Sequence, residues 1–414
     1  MITLLINIKE LIQVREKSVK KVIGKEMQKL PTLKNAFLAI DNGEIINYGV
    51  MDDIPSYSAA MLIDCKDKFV FPTWCDSHTH IVYAGHRAQE YVNRINGSYN
   101  ENMNRSDIIL NCANELQDCC ENMLYEQSKD RLDEVIGLGT GAIEIKSGYG
   151  LNAQAELKIL RVIKKLRENY CIPIKATFLG ANVLPNEYKN NREAYVDEII
   201  NEMLPRVVEE NLAEFVDVVC EEGHFSVDET EKIMTAAKIN GLQTKVHVNQ
   251  YTSIGGIQAS VKHNAISVDH LETLTKEDIH ALQGSNTMPV ALPSFSYFLN
   301  HSYTPAREII DNNLPLALAT NYNADSTPSG NMNFVISNAC LKMKMTPEEA
   351  INAATLNGAY AMNLADEVGS ITKGKKANFF ITKKIPSYDY IPYSFGPSLI
   401  DSVYINGRKH EQLT

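Results

Sequence analysis

Short apolar runs recur through the middle of this chain with helix-length stretches between them. That alternation restricts the fold more than any other feature of the sequence. The runs are Gly141-Ala142-Ile143-Glu144-Ile145, Ile174-Lys175-Ala176-Thr177-Phe178-Leu179, Phe215-Val216-Asp217-Val218-Val219, Thr244-Lys245-Val246-His247-Val248, Ala265-Ile266-Ser267-Val268, Met288-Pro289-Val290-Ala291-Leu292 and Leu316-Ala317-Leu318-Ala319. Between them, Leu157, Leu160 and Ile163 recur near the helical period, and Glu229 to Ile239 behaves the same way. Strands alternating with helices build a parallel sheet covered by helices. With Phe69-Val70-Phe71 read as the first strand, there are about eight candidates, the number a closed (β/α)8 barrel requires. A doubly wound sheet also alternates, but the glycine-rich phosphate turn it carries after an early strand is absent.

The two ends of the chain read differently. Ala36-Phe37-Leu38-Ala39-Ile40 and Ile45-Ile46-Asn47-Tyr48 flank Asp41-Asn42-Gly43-Glu44, a hairpin signal. Ala377 to Thr382 and Val403 to Arg408, with Asn406-Gly407 as a turn, repeat the style. The expected architecture is α/β: a TIM-like barrel over residues 69–365, with a small β-sandwich domain built from both termini, 1–68 plus 366–414. A length of 414 residues accommodates both units.

Charge and cysteine usage narrow the class of function. The chain carries 40 basic and 51 acidic side chains, a formal charge of −11, and no long basic run, so nucleic acid is not an expected partner. The eight cysteines form no CxxC pair, which argues for reduced thiols and neither a zinc ribbon nor a disulfide framework. The first residues lack the pattern of a signal peptide, and no run approaches the roughly 18 apolar residues of a membrane span. A cytoplasmic protein without membrane partners is the expectation.

The chemistry concentrates in Phe71-Pro72-Thr73-Trp74-Cys75-Asp76-Ser77-His78-Thr79-His80. Side chains two apart on a strand share a face, so His78 and His80 can converge on one metal ion. His247 and His270 close later strands, at the end where barrel enzymes build their sites. One such histidine is ordinarily a hydrogen-bonded structural group. Four of them at strand ends point to a metal centre.

This order of ligands resembles the amidohydrolase superfamily and, more finely, the imidazolonepropionase family, over nearly the whole chain. The segments that carry the resemblance are His78-Thr79-His80 with Ala84-Gly85-His86-Arg87, and Glu144-Ile145-Lys146-Ser147-Gly148-Tyr149-Gly150-Leu151. Phe178-Leu179-Gly180-Ala181, Gly223-His224-Phe225-Ser226 and Pro328-Ser329-Gly330-Asn331-Met332 complete the set. The resemblance implies metal-dependent hydrolysis of the cyclic amide of 4-imidazolone-5-propanoate to N-formimidoyl-L-glutamate, a step of histidine degradation. It also implies a small-molecule substrate and one divalent ion, Zn2+ or Fe2+, held by His78, His80, His247 and the residue at 321. A strand-four lysine that could bridge two metals is absent from Phe215 to Cys220, so one metal is expected and not two. His270 would hydrogen-bond the nucleophile or the developing oxyanion. Arg87 would hold the substrate carboxylate, Tyr149 and Gln250 the ring, and Asn323 and Ser326 the substrate or product. A homodimer stays open.

The chain departs from the family's pattern at several places in one pocket. Asn321 stands where the family places a metal-binding aspartate, and a neutral amide can ligate but cannot act as a base near pH 7. Asn182 stands at a histidine position and Asp325 at a glycine position, and no glycine occurs between Gly97 and Gly137. Two further readings therefore accompany the hydrolase: a homologue that keeps the fold and ligand binding without full activity, and an amidohydrolase for another cyclic amide.

Overall fold

The computed structural model describes residues 2–57, 61–97 and 105–411; part of the glycine-free stretch after Gly97 lies outside them. Eight parallel strands follow one another in chain order around a barrel: β1 (Trp74–Thr79), β2 (Thr140–Lys146), β3 (Ile174–Ala181), β4 (Phe215–Cys220), β5 (Gln243–Val248), β6 (Ser267–His270), β7 (Met288–Ala291) and β8 (Ala317–Leu318). The ring closes at the mouth. Asn321 N donates to His78 O at 3.0 Å and His80 N to Tyr322 O at 2.8 Å, so the residues after β8 are tied directly to the β1 histidines.

A second eight-stranded sheet joins the two ends of the chain. Its order runs Arg408–Lys409, Ile400–Ile405, Phe379–Thr382, Phe69–Pro72, Thr3–Ile12, Thr32–Asp41 and Glu44–Val50, with Met61–Asp64 paired to Thr3–Ile12. Both expected hairpin turns form, with Asn42 and Gly43 at φ 49° and 84° and Asn406 and Gly407 at 48° and 71°, the left-handed pair a two-residue turn needs.

Phe69-Val70-Phe71 is not the first barrel strand. It lies in the outer sheet, antiparallel to Phe379–Thr382, and the barrel begins at Trp74. The run is apolar on both faces because it separates two cores. Phe71 stacks on Phe380 (5.1 Å, 5°) toward the barrel, while Val70 packs with Leu5, Ile8 and Leu38 of the outer sheet. Burial on both sides is what also makes a parallel strand uniformly apolar, so sequence could not tell them apart. Asp76 and His78 consequently lie within β1 and not after it.

The remaining apolar runs form β2 to β8, and the helical patterns form Ala153–Asn169 and Val227–Ile239. Ser226 and Glu229 make a reciprocal cap at the start of the latter. No helix among the described residues is long and apolar enough to cross a membrane.

Candidate metal centre

Four imidazoles meet at the C-terminal mouth of the barrel. His78, His80, His247 and His270 are each at most 4% exposed. Ring centroids lie 4.5 Å apart for His78 and His247, 5.3 Å for His247 and His270, and 5.4 Å for His78 and His80. One donor atom each from His78, His247 and His270 falls within 4.8 Å of the others. His80 stands at the edge of that group: Nδ1 is 3.1 Å from Ser147 O, and its ring is 6.1 Å from that of His247.

A layer of fully buried charge lies under these rings. His78 Nδ1 is 2.6 Å from Asp269 Oδ2. His247 Nδ1 is 2.8 Å from Asp217 Oδ2, at an angle that makes it a close contact and not a straight hydrogen bond. Lys146 Nζ stands 2.7 Å from Asp217 and 2.9 Å from Glu144, and Lys245 Nζ pairs with the other oxygen of Glu144. His270 Nδ1 is 3.2 Å from Glu272 Oε1. Burial, then the cation on Lys146 and the neighbouring imidazoles, holds His78 neutral well below its ordinary range; burial, then His247 and Lys146, does the same to His80.

Neutral imidazoles anchored through Nδ1 are the state a metal requires. His78 Nε2 has no protein partner, and neither Oδ1 nor Nδ2 of Asn321, which is 1% exposed, has one. Buried polar atoms left unpaired cost about 1–3 kcal/mol each, and a divalent cation among them removes that cost. The donor set fits such an ion.

The expected substrate side adjoins this centre. Arg87 donates to Glu115 Oε1 at 2.6 Å and from Nε to Cys112 Sγ at 3.0 Å, while its buried second amino nitrogen has no partner. It lines a cavity of about 260 Å³ together with Tyr91, Ile108, Phe298, Asp325 and Pro328. The Tyr149 hydroxyl donates to Asp325, and its ring is 5.7 Å from that of His80, so Tyr149 links a residue of the cavity lining to the edge of the histidine cluster. Gln250 Nε2 reaches the Tyr251 hydroxyl at 3.2 Å, and Asn182 Nδ2 donates to Gly148 O at 2.8 Å. The Asn323 amide oxygen accepts from the backbone of Asp325, Ser326 and Thr327, and its Nδ2 donates to Ser326 Oγ. It shapes the loop that presents Asp325. A larger, open cleft of about 1250 Å³ between the outer sheet and the helix Glu121–Gly137 lies away from the histidines.

The amidohydrolase family's profile matches residues 69–409. Imidazolonepropionases of Christiangramia forsetii and Flavobacterium johnsoniae are 61% and 62% identical over 409 residues, covering 99% of this chain and all of each relative. The chain belongs to the imidazolonepropionase family of amidohydrolases. Solved structures share the fold at lower identity: E. coli guanine deaminase (TM-score 0.73, 13% identical, 99% of each chain) and a Xanthomonas campestris adenosine deaminase with bound zinc (0.68, 15%, 98% of this chain and 92% of that one).

Several residues that build the site escape a motif-based reading. Glu156 is fully buried and accepts from the backbone N–H groups of Gly148, Gly150 and Leu151, fixing the loop that carries Tyr149. Only glycine fits at 150, where a Cβ would meet Glu156 N at 2.4 Å. Glu221 accepts from Gln250 N and Thr252 N, and so sets the loop after β5. Glu144, Lys146, Asp217, Lys245 and Asp269 had one signal in the sequence. They are charges inside apolar strands; Glu144 and Lys146 stand two apart on one strand, as do Lys245 and His247 on another.

Proposed function

We propose that the chain hydrolyses 4-imidazolone-5-propanoate to N-formimidoyl-L-glutamate. The observation that carries the reading is the convergence of four buried imidazoles and an unpartnered Asn321 amide beside a cavity that holds Arg87. Full-length relatives bearing the imidazolonepropionase name support the substrate.

His78, His80, His247 and the Asn321 amide oxygen would hold a divalent cation, Zn2+ or Fe2+, which would supply Lewis acidity and lower the pKa of water toward neutrality. Arg87 binds the propanoate through its unpartnered amino nitrogen, a charge-assisted contact that aims the ring at the histidines. Tyr149, Asn182 and Gln250 border the ring, and Asp325 with Ser326 closes the pocket opposite. Asn321 is neutral and accepts no proton, so His270 takes the proton of the attacking water. Glu272 at Nδ1 orients that ring and turns Nε2 to the transfer. The same proton passes to the ring nitrogen as the C–N bond breaks.

Loss of the imidazolone absorbance with purified, metal-loaded protein tests the proposal, with elemental analysis fixing the metal. Turnover that disappears with chelator and returns with Zn2+ or Fe2+ is expected. Metal-loaded protein that leaves the substrate intact overturns the assignment.

A further inference from the structure

We propose that Lys146 is a positioning residue that fixes two metal-facing histidines at once, through the carboxylates of Asp217 and Asp269. The inference rests on the metal-centre reading above. Lys146 ends β2, is fully buried and touches neither imidazole. Its ammonium has three N–H donors, and three carboxylates stand around it: Asp217 Oδ2 at 2.7 Å, Glu144 Oε1 at 2.9 Å and Asp269 Oδ2 at 3.4 Å.

The oxygens Lys146 meets on the two aspartates are the ones that face the imidazoles. Asp269 Oδ2 lies 2.6 Å from His78 Nδ1, and Asp217 Oδ2 lies 2.8 Å from His247 Nδ1. The second oxygen of each is taken up elsewhere: Asp269 Oδ1 accepts from Ser267 Oγ at 2.6 Å, and Asp217 Oδ1 from Val218 N at 2.8 Å and from His247 N at 3.2 Å. One cation thus holds two like-charged carboxylates side by side, each turned toward a ring on a different strand. Without it, Asp217 and Asp269 repel and swing apart. His78 then loses the acceptor that keeps the proton on Nδ1, and His247 loses the carboxylate 2.8 Å from its own Nδ1, so neither ring is held with Nε2 toward the metal.

Stability alone does not account for the arrangement. Buried ion clusters contribute little net stability compared with apolar side chains of the same volume. Lys245, the other buried ammonium, is engaged by Glu144 and Ser77 O and does not reach the aspartates among its hydrogen bonds.

The test compares the parent with Lys146→Met. In metal-free protein, long-range 15N–1H spectra of the imidazoles read the tautomers directly, and zinc affinity is measured by competition with a chromogenic chelator. Expected are Nδ1–H forms for His78 and His247 in the parent, a mixture of tautomers in Lys146→Met, and zinc affinity lowered by about 10- to 100-fold, the range typical of lost outer-shell support. If Lys146→Met does not fold, Lys146→Gln keeps a donor at the same place and removes only the cation; the same tautomer change is expected. Unchanged tautomers together with unchanged zinc affinity in a folded variant overturn the role of Lys146. A parent that binds no zinc or iron overturns the metal centre itself, and the tautomers still decide whether Lys146 orients the rings.

Discussion

Asn321→Asp is the most informative single change in this site. The amide is 1% exposed, has no partner at either side-chain atom, and its backbone N–H is fixed on His78 O. The substitution therefore adds a charge with almost no change of shape. At an effective dielectric near 20, opposite unit charges 4 Å apart attract by about 4 kcal/mol. Burying the carboxylate costs several kcal/mol against this. A net gain of about 1.4–2.8 kcal/mol, or roughly 10- to 100-fold in metal affinity, is the expected balance. The carboxylate also adds a second base beside His270, which is expected to raise turnover by less than the roughly 10²–10⁴-fold that a positioned base supplies where there is none. Chelator competition reads the first quantity, and the imidazolone absorbance under saturating metal reads the second. A variant that binds metal no more tightly and turns over no faster refutes the reasoning.

Three further expectations can be checked separately. His78→Ala and His247→Ala should each strip the metal from purified protein, read by elemental analysis, because both histidines belong to every ligand set the geometry allows. Arg87→Ala should weaken binding of a propanoate-bearing imidazolone by about 2–5 kcal/mol while leaving binding of the analogue without its carboxylate unchanged, as measured by calorimetry. Burial raises the Asp76 carboxyl from 3.8 to about 7, against the pull of its hydrogen bonds from Thr320. The folded state then keeps a proton that the unfolded chain has released, so stability of the metal-free protein should be greatest below the ordinary value and fall as pH rises toward 7. The slope is at most about 1.4 kcal/mol per pH unit. Denaturant melts at a series of pH values should show that slope, and Asp76→Asn should flatten it.

The barrel was legible because its periodicity is local. A strand buried on both faces needs an uninterrupted apolar run, and each helix between needs its own apolar stripe, so both leave a mark in neighbouring residues. The pairing of His78 with His80 was legible for a related reason: strand geometry puts the two on one side whatever surrounds them. The same reasoning misplaced Phe69 to Phe71, since burial on both faces produces an identical pattern in a barrel strand and in a strand between two cores.

By itself the sequence determined the strand-and-helix alternation, the histidine set, the hairpin turns and the neutral amide at 321. Tertiary structure alone decided what those residues meet. Asp217 and Asp269 are 52 residues apart in the chain, and neither predicts the other, yet both close on Lys146 from a third strand. Asp325 is 176 residues from Tyr149 and still receives its hydroxyl. Such pairings come from barrel closure, which sets distant strand ends side by side in a space without water. There a charge persists only beside its opposite, and the fold, not the local sequence, supplies that partner.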